Sequence, residues 1–315
     1  MKSSSSLKEV PLSDKLREGI GLALMHLQAR HKIDFSVLDA SVQEYDKTLL
    51  RCGRSPLRES RVLEIGFGAR PYRLVWLHNS GVQIWGVDLD KPLLRMSPDS
   101  FLKIKRQNGA ERALKSAIRY CISDAHQWRQ VAAELSRRGR SFCIPEERLM
   151  VADAANPGFW AKAGYFDFIY SEDVFEHIPR EDLSALLGWM ASALRPNGIA
   201  LIRPMVFTGI CGGHHLEWFP HTHELQMSRR TEPWEHLRKG RFPANTYLNR
   251  LTRKDYVDVF EKHFRILENE AMQPNLGEQF MTSQIRAELS EYGDDELFSN
   301  SVRFVLEPKQ LNLMN

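Results

Sequence analysis

The chain has 315 residues, of which 43% are hydrophobic and 26% charged, and its formal net charge is +3. That length suits one large α/β domain with additions or two small domains. So slight a charge excess makes neither nucleic acid nor an acidic membrane an obligatory partner. No apolar run reaches the ~18 residues of a membrane span. The four cysteines, Cys52, Cys121, Cys143 and Cys211, contain no C-x-x-C pair, so reduced thiols and a cytoplasmic location are expected.

The opening MKSSSSLKEVP is polar and expected to be loose. GIGLALMHL follows several charges and lacks a small-residue cleavage site, so it reads as a helix face, not a signal peptide. Leu16, Ile20, Leu24 and Leu27 recur at helical spacing and predict a helix from a Ser13 cap through His31. Further helix is expected towards Glu59, which makes residues 1–60 a helical extension. Packing against a sheet is the preferred role for it, ahead of a lid over a pocket.

From Arg61 onward strands and helices alternate. RVLEIGFG, VQIWGVDLD, RLMVADA, FDFIYSED and GIALIRPMVF each read as a strand, the last preceded by the turn RPNG. Leu183, Leu186, Leu187, Met190 and Leu194 line one face of an amphipathic helix between the fourth and fifth. Near the end, LTRKDYVDVFEKHF predicts a helix capped by Thr252. FRILENEAM and SVRFVLEP predict an antiparallel strand pair, with helical SQIRAELSEYG between them. Alternation of this kind specifies a mostly parallel sheet with helices on both faces. Residues 61–315 are then one domain with helical insertions at about 92–147 and 208–249, each too long for an ordinary crossover.

The chemistry-bearing stretches follow the strands. VLEIGFGARPY places Gly66 and Gly68 after the first strand, but Pro71 stands where a dinucleotide fingerprint needs its third glycine. A nicotinamide cofactor is therefore disfavoured. WGVDLD ends the second strand with Asp88, whose two acceptor oxygens suit vicinal ribose hydroxyls. MVADAANP places Asp153 after the third strand, and FDFIYSEDVFEHIP ends the fourth.

Glu64 before the two glycines makes E-x-G-x-G, which resembles motif I of the class I S-adenosylmethionine-dependent methyltransferases. With the other three stretches in order, the resemblance spans roughly Arg61 to Phe207. It implies a Rossmann-like, seven-stranded, mostly parallel sheet with an antiparallel terminal strand, and S-adenosyl-L-methionine as cofactor. It further implies that Gly66 and Gly68 admit the methionine part and that Glu64 holds its ammonium end. Asp88 would accept from the ribose, Asp153 and the Ala154 amide would contact adenine, and Ser171 and Glu172 would lie along the cofactor's edge. Arg70 departs from the glycine commoner at its position in that family.

The acceptor side is expected after the fourth and fifth strands. Asp173, Glu176 and His177 share a helix face as D-x-x-E-H, a spacing that can grip one cation. Certain ubiquinone-pathway O-methyltransferases carry a similar site, but structural helix-start acids are the preferred account, and no metal ligand is assigned. TGICGGHHLEWFPHTHE brings His214, His215, His221 and His223 after the fifth strand, where ligands bind in such sheets. His214, His215 and His177 are candidate bases towards an acceptor hydroxyl. Trp218 and Trp234 are candidate stacking surfaces for a sugar or aromatic ring. PWEHLRKGRFPANTYLNRLTRKDY resembles tails of bacterial methyltransferases associated with surface glycans, and Arg238, Lys239 and Arg241 are candidate contacts for a phosphate or acidic sugar.

The expected function is methyl transfer, at oxygen, to a small-molecule or glycan acceptor. The alternatives are a metal-assisted phenol- or quinone-type O-methyltransferase and a non-catalytic S-adenosylmethionine-binding module. Methylation of base amino groups is disfavoured because SEDV replaces the D/N-P-P-Y/F motif, so nucleic acid is not the expected partner.

Overall fold

The seven apolar runs become seven strands whose residues part alternately to the two faces of one sheet. The computed structural model describes residues 33–219, 229–241 and 247–309; the expected Ser13–His31 helix and His221 and His223 lie outside them. The strands are β1 (Arg61–Ile65), β2 (Gln83–Asp88), β3 (Leu149–Val151), β4 (Phe166–Glu172), β5 (Leu194–Arg203), β6 (Phe264–Ala271) and β7 (Val302–Pro308). Their order is β3-β2-β1-β4-β5-β7-β6. The first five pair in parallel, and β7 pairs antiparallel with both β5 and β6. On β4, Phe168 and Tyr170 pack on one face and Ile169 on the other; on β5, Ile199 and Leu201 oppose Ala200 and Ile202. Strands this uniformly apolar require cover on both sides.

One face is covered by α1 (Phe35–Arg51) and α2 (Tyr72–Asn79), through Tyr45, Leu49, Leu74 and Leu77. So α1 packs against the sheet, as preferred from sequence. The first insertion forms α3 (Pro98–Asn108), α4 (Ala110–Arg119) and α5 (Ala125–Arg137), with a π-turn at Tyr120–Asp124 joining the last two. Trp128, Val131 and Leu135 of α5 pack on Val75 and Trp76 of α2. The other face is covered by α6 (Pro157–Ala163) and α7 (Arg180–Ala193), where Leu183, Leu186, Leu187 and Met190 are buried as their spacing predicts. The short α8 (Glu235–Arg238) lies in the second insertion. Then α9 (Arg253–Phe260) completes this face with Tyr256 and Phe260; its Thr252 cap and Asp255 form a reciprocal capping box. The helices α10 (Ser283–Glu288) and α11 (Asp294–Leu297) join β6 to β7.

Two features depart from the sequence reading. The RPNG segment is not a turn ahead of the fifth strand. Helix α7 ends at Ala193, and β5 begins at once at Leu194, with Arg195–Asn197 exposed in a register irregularity between the pairs Phe166–Leu194 and Phe168–Ile199. Pro196 lacks the N–H that helix continuation needs. The second insertion is not chiefly helical: among its described residues α8 is the one α-helix, and Ile210, Cys211, Trp218 and Trp234 join Ile285, Leu289, Leu297 and Phe298 in a satellite core.

The first insertion is fastened to the loop after β1 by one buried carboxylate. Asp124 accepts from Arg70 Nε at 2.7 Å and from Arg119 Nε at 2.9 Å, while Ser123 Oγ accepts from the second nitrogen of Arg70 at 3.0 Å. Tyr72 donates to Gln127 of α5 at 2.7 Å. Arg70, the departure from the family's glycine, is thus the anchor for the insertion. Replacing Asp124 by Ala leaves two arginines without their shared acceptor. We expect a loss of about 1–3 kcal/mol in denaturant unfolding, and an Arg70→Ala, Asp124→Ala pair whose combined cost falls short of the sum of the singles.

Candidate functional site

The parallel strands bring their carboxyl ends to one edge, and the chain order reverses direction between β1 and β4, where an α/β sheet opens its ligand crevice. The glycine loop follows β1. Gly66 has φ +81°, and a Cβ there would lie 2.2 Å from Val174 Cγ2, so the loop after β4 closes onto it. Gly68 has φ +67° and open space around its missing side chain. The left-handed backbone is cheap only for glycine. The first glycine allows close packing, and the second leaves room.

Asp88 sits at the end of β2 with its carboxylate turned to that loop. Oδ2 accepts from the Gly68 amide at 2.8 Å and Oδ1 from the Asp90 amide at 2.9 Å. Burial raises its pKa above the usual aspartate value. Leu89 beside it is 67% exposed, an apolar surface without cover among the described residues. Asp153 follows β3, exposed, with one oxygen accepting from the Ala155 amide at 2.8 Å. A cleft of about 400 Å³ opens there, lined by Met150, Ala152, Asp153, Asn156 and Phe159. The Ala154 carbonyl accepts from the Trp160 indole at 2.7 Å.

Glu64 and Glu172 are inward. Ser171 Oγ donates to the Ile65 carbonyl at 2.8 Å and stitches β4 to the start of the glycine loop. Glu172 is held by Arg73 at 2.8 Å, by Arg203 at 3.2 Å and by the Tyr45 hydroxyl. Glu64 lies 3.8 Å from the same Arg73, and its second oxygen is buried without a hydrogen bond. Burial is the main force on this carboxyl, partly offset by Arg73, and pushes its pKa up to about 7.

Beyond β4 and β5 the structure joins residues that lie far apart in the chain. Glu176 lies in a 3₁₀ turn after β4, its carboxylate buried, and both oxygens lack a hydrogen bond. Burial, then the neighbouring Asp173 carboxylate, pushes its pKa well up; the amides of Glu176 and Met205 oppose this. His214 Nε2 lies 4.0 Å from Glu176 Oε1 and also lacks a partner. Burial, with His177 and His215 nearby, lowers the His214 pKa to about 4, so its imidazole is neutral at pH 7. The His177 ring meets His214 edge-on, centroids 5.1 Å apart, and its Nδ1 is 2.9 Å from the Tyr247 carbonyl. His215 bonds the Arg241 carbonyl at 3.0 Å and is not part of this group. Of the three candidate bases, His177 and His214 therefore come together. Glu176, which joins them, stands out in the sequence only as part of the D-x-x-E-H spacing, because nothing local tells a buried acid from a helix-start acid.

Two other expectations are corrected. Trp218 and Trp234 are buried in the satellite core, and their indole N–H groups bond Thr231 Oγ1 and the Thr208 carbonyl, so neither ring is free to stack on an acceptor. Arg238, Lys239 and Arg241 are neutralised by Glu232, Glu235 and Glu288 and do not form an open anion site.

Because Glu64 holds its proton more tightly in the fold than in an unfolded chain, the folded state binds the extra proton between about pH 4.5 and 7. Stability then falls as pH rises through that window, by on the order of 3 kcal/mol from this group. We expect Glu64→Gln to flatten that slope in urea melts run from pH 4.5 to 8; parallel profiles for the two proteins would refute the assignment.

Comparison with known proteins identifies the family. The family model described as a methyltransferase domain matches residues 39–263. No curated protein matches the chain. Distantly similar solved structures include the PH0226 protein from Pyrococcus horikoshii OT3, at 14% identity over 87% of this chain and 89% of that one, TM-score 0.41. Another is a TehB-like SAM-dependent methyltransferase from Corynebacterium glutamicum ATCC 13032 Kitasato, at 14% identity over 87% and 99%, TM-score 0.37. A third is magnesium protoporphyrin IX methyltransferase from Synechocystis PCC 6803, at 16% identity over 96% and 90%, TM-score 0.39. The family match takes in well over half the sequence, including β1 to β5 and the glycine loop after β1, and the chain belongs to the methyltransferase-domain family as a class I S-adenosylmethionine-dependent methyltransferase.

Proposed function

We propose that this methyltransferase acts at an oxygen of a small-molecule or glycan-like acceptor. The observation that carries the reading is the Glu176–His177–His214 group, whose unpartnered lone pairs gather beside the cofactor loop. Val174, in van der Waals contact with Gly66, stands two residues before Glu176, so the acceptor-side turn is locked to the loop that admits the methionine part. A neutral imidazole at that place can draw on an acceptor hydroxyl as the methyl group leaves sulfur in line. Phe219, edge-on to His214, and the exposed Tyr247 ring supply the aromatic flank that the buried tryptophans do not.

On the cofactor side, Gly66 and Gly68 admit the methionine part, Glu64 pairs with its ammonium group, and Asp88 takes the ribose. Asp153, with the Ala154 amide, meets adenine over the cleft, Leu89 offers an apolar surface to the base, and Ser171 and Glu172 hold the crevice wall. The four cysteines form no disulfide, which suits a reducing compartment such as the cytoplasm.

Calorimetry with S-adenosylmethionine tests the cofactor side: Asp88→Ala is expected to weaken binding at least about tenfold, the loss of two hydrogen bonds, and unchanged affinity would mean the ribose lies elsewhere. For the acceptor, the protein is incubated with methyl-labelled S-adenosylmethionine and fractionated cell extract. Label is expected in a hydroxyl-bearing small molecule or glycan fraction; label carried only by protein or nucleic acid would overturn the reading.

A further inference from the structure

We propose that Glu176, His177 and His214 form a binding site for one first-row divalent transition-metal cation of the zinc class, with open positions for the acceptor's oxygen. One ligand atom from each residue lies within 4.8 Å of the others. Around a tetrahedral ion with bonds of about 2.1 Å, ligand atoms stand about 3.4 Å apart, so a cation needs to draw these groups in by roughly an ångström.

The alternatives for the same atoms are poor. Glu176 Oε1 and His214 Nε2, at 4.0 Å, are too far apart to share a proton in a hydrogen bond. Yet both carboxylate oxygens and that nitrogen are buried without a partner, and the Glu176 side chain is only 4% exposed. A buried carboxyl group left without a hydrogen-bond partner costs about 1–3 kcal/mol, and native folds seldom leave one so. His177 is prepared in the same sense. The Tyr247 carbonyl only accepts, so Nδ1 carries the ring proton and the Nε2 lone pair is left for a ligand bond.

The backbone holds the three donors in place against strain. His214 has φ +55°, a left-handed conformation uncommon outside glycine. Its amide donates to the Cys211 carbonyl, and Cys211 is itself tied to Asn300 at 3.1 Å. Gly213 before it leaves no room for a Cβ, which would lie 2.6 Å from His236 Cγ. Beneath Glu176, Asn249 donates through its side chain to the carbonyls of Phe175 and Ile178 at 2.7 and 3.0 Å, and through its amide to that of Glu176 at 2.8 Å.

Two imidazoles and one carboxylate favour zinc, cobalt, nickel or manganese over magnesium and calcium, which prefer all-oxygen sets. The set differs from the D-x-x-E-H grip suggested by spacing: His214, from the insertion, takes the third place and Asp173 does not. The metal's use rests on the O-methyl-transfer reading, though its binding does not. With the cation in place the two histidines are ligands and not bases, and the coordinated acceptor hydroxyl releases its proton to solvent. The oxygen then forms a bond to the methyl carbon as the carbon–sulfur bond breaks, leaving S-adenosylhomocysteine.

The test uses the full chain stripped with a chelator and titrated with zinc chloride by calorimetry, with cobalt(II) absorption as a second readout. One equivalent is expected to bind with micromolar or tighter affinity, with visible cobalt bands of a low-coordinate nitrogen–oxygen site. His214→Ala, Glu176→Gln and the more exposed His177→Ala are each expected to weaken binding at least tenfold, with S-adenosylmethionine binding retained; the surface variant His126→Ala should match the wild type. Absence of stoichiometric binding to folded wild-type protein, or binding indifferent to all three changes, overturns the site. Metal binding without any methyl transfer to hydroxyl acceptors sinks the reading of the reaction and leaves the site standing; transfer that persists in the metal-free protein upholds that reading and overturns the metal's part in the reaction.

Discussion

The crevice edge of this protein is organised by a run of partly buried opposite charges. Arg73 of α2 lies between Glu64 and Glu172; Glu172 passes the link to Arg203, Arg203 to Glu44 of α1, and Glu44 to Arg303 of β7. The run crosses the ends of β1, β4 and β5 and reaches β7, tying to them the two helices that cover that face. Buried ion pairs seldom add much net stability, because desolvation offsets their attraction. Their worth here is in position: each member is costly to leave alone, so the strand ends and helices keep one register relative to one another. Glu64 is the most deeply buried member and only loosely paired, so burial makes it hold its proton firmly and a cationic group arriving beside it would be welcome.

From that edge the two halves of the site diverge in character. The proposed cofactor half rests largely on backbone groups: two left-handed glycines, the amides that Asp88 accepts from, and the Ile65 carbonyl that the Ser171 hydroxyl bonds. The proposed acceptor half is made of side chains brought from separate segments over a strained His214. The first insertion holds Arg70, beside the glycines, through Asp124, and the second buries its tryptophans in the satellite core. An apolar satellite core under a polar surface is a rigid support for groups whose geometry decides the chemistry.

Much of the frame was legible because it depends on local pattern. Apolar runs ending in Glu64, Asp88 and Glu172 marked strands, Leu183 to Met190 marked a helix by period, and Thr252 with Asp255 marked its start. The order of strand-end acids then named the fold. What escaped depends on partners distant in sequence. Nothing near Arg70 announces Asp124, 54 residues on, and nothing near Glu176 announces His214. Trp218 and Trp234 have the composition of a binding surface, and only the hydrophobes after residue 280 reveal that they are core. RPNG has the residues of a turn, and its inclusion in β5 follows from pairing with β4.

The place of β7 has a consequence for how the chain is made. It is synthesised after every other strand, yet it lies inside the sheet, between β5 and β6. Until the ribosome has released residues 302–308, β5 has an open edge, and β6, which bonds no other strand, has no place to dock. The N-terminal strands and the glycine loop can assemble early, while the satellite core waits for segments made after residue 280. Folding of this enzyme must therefore finish after synthesis of its core is nearly over, with an apolar edge exposed in the interval, the condition under which chaperones are engaged and truncated chains aggregate.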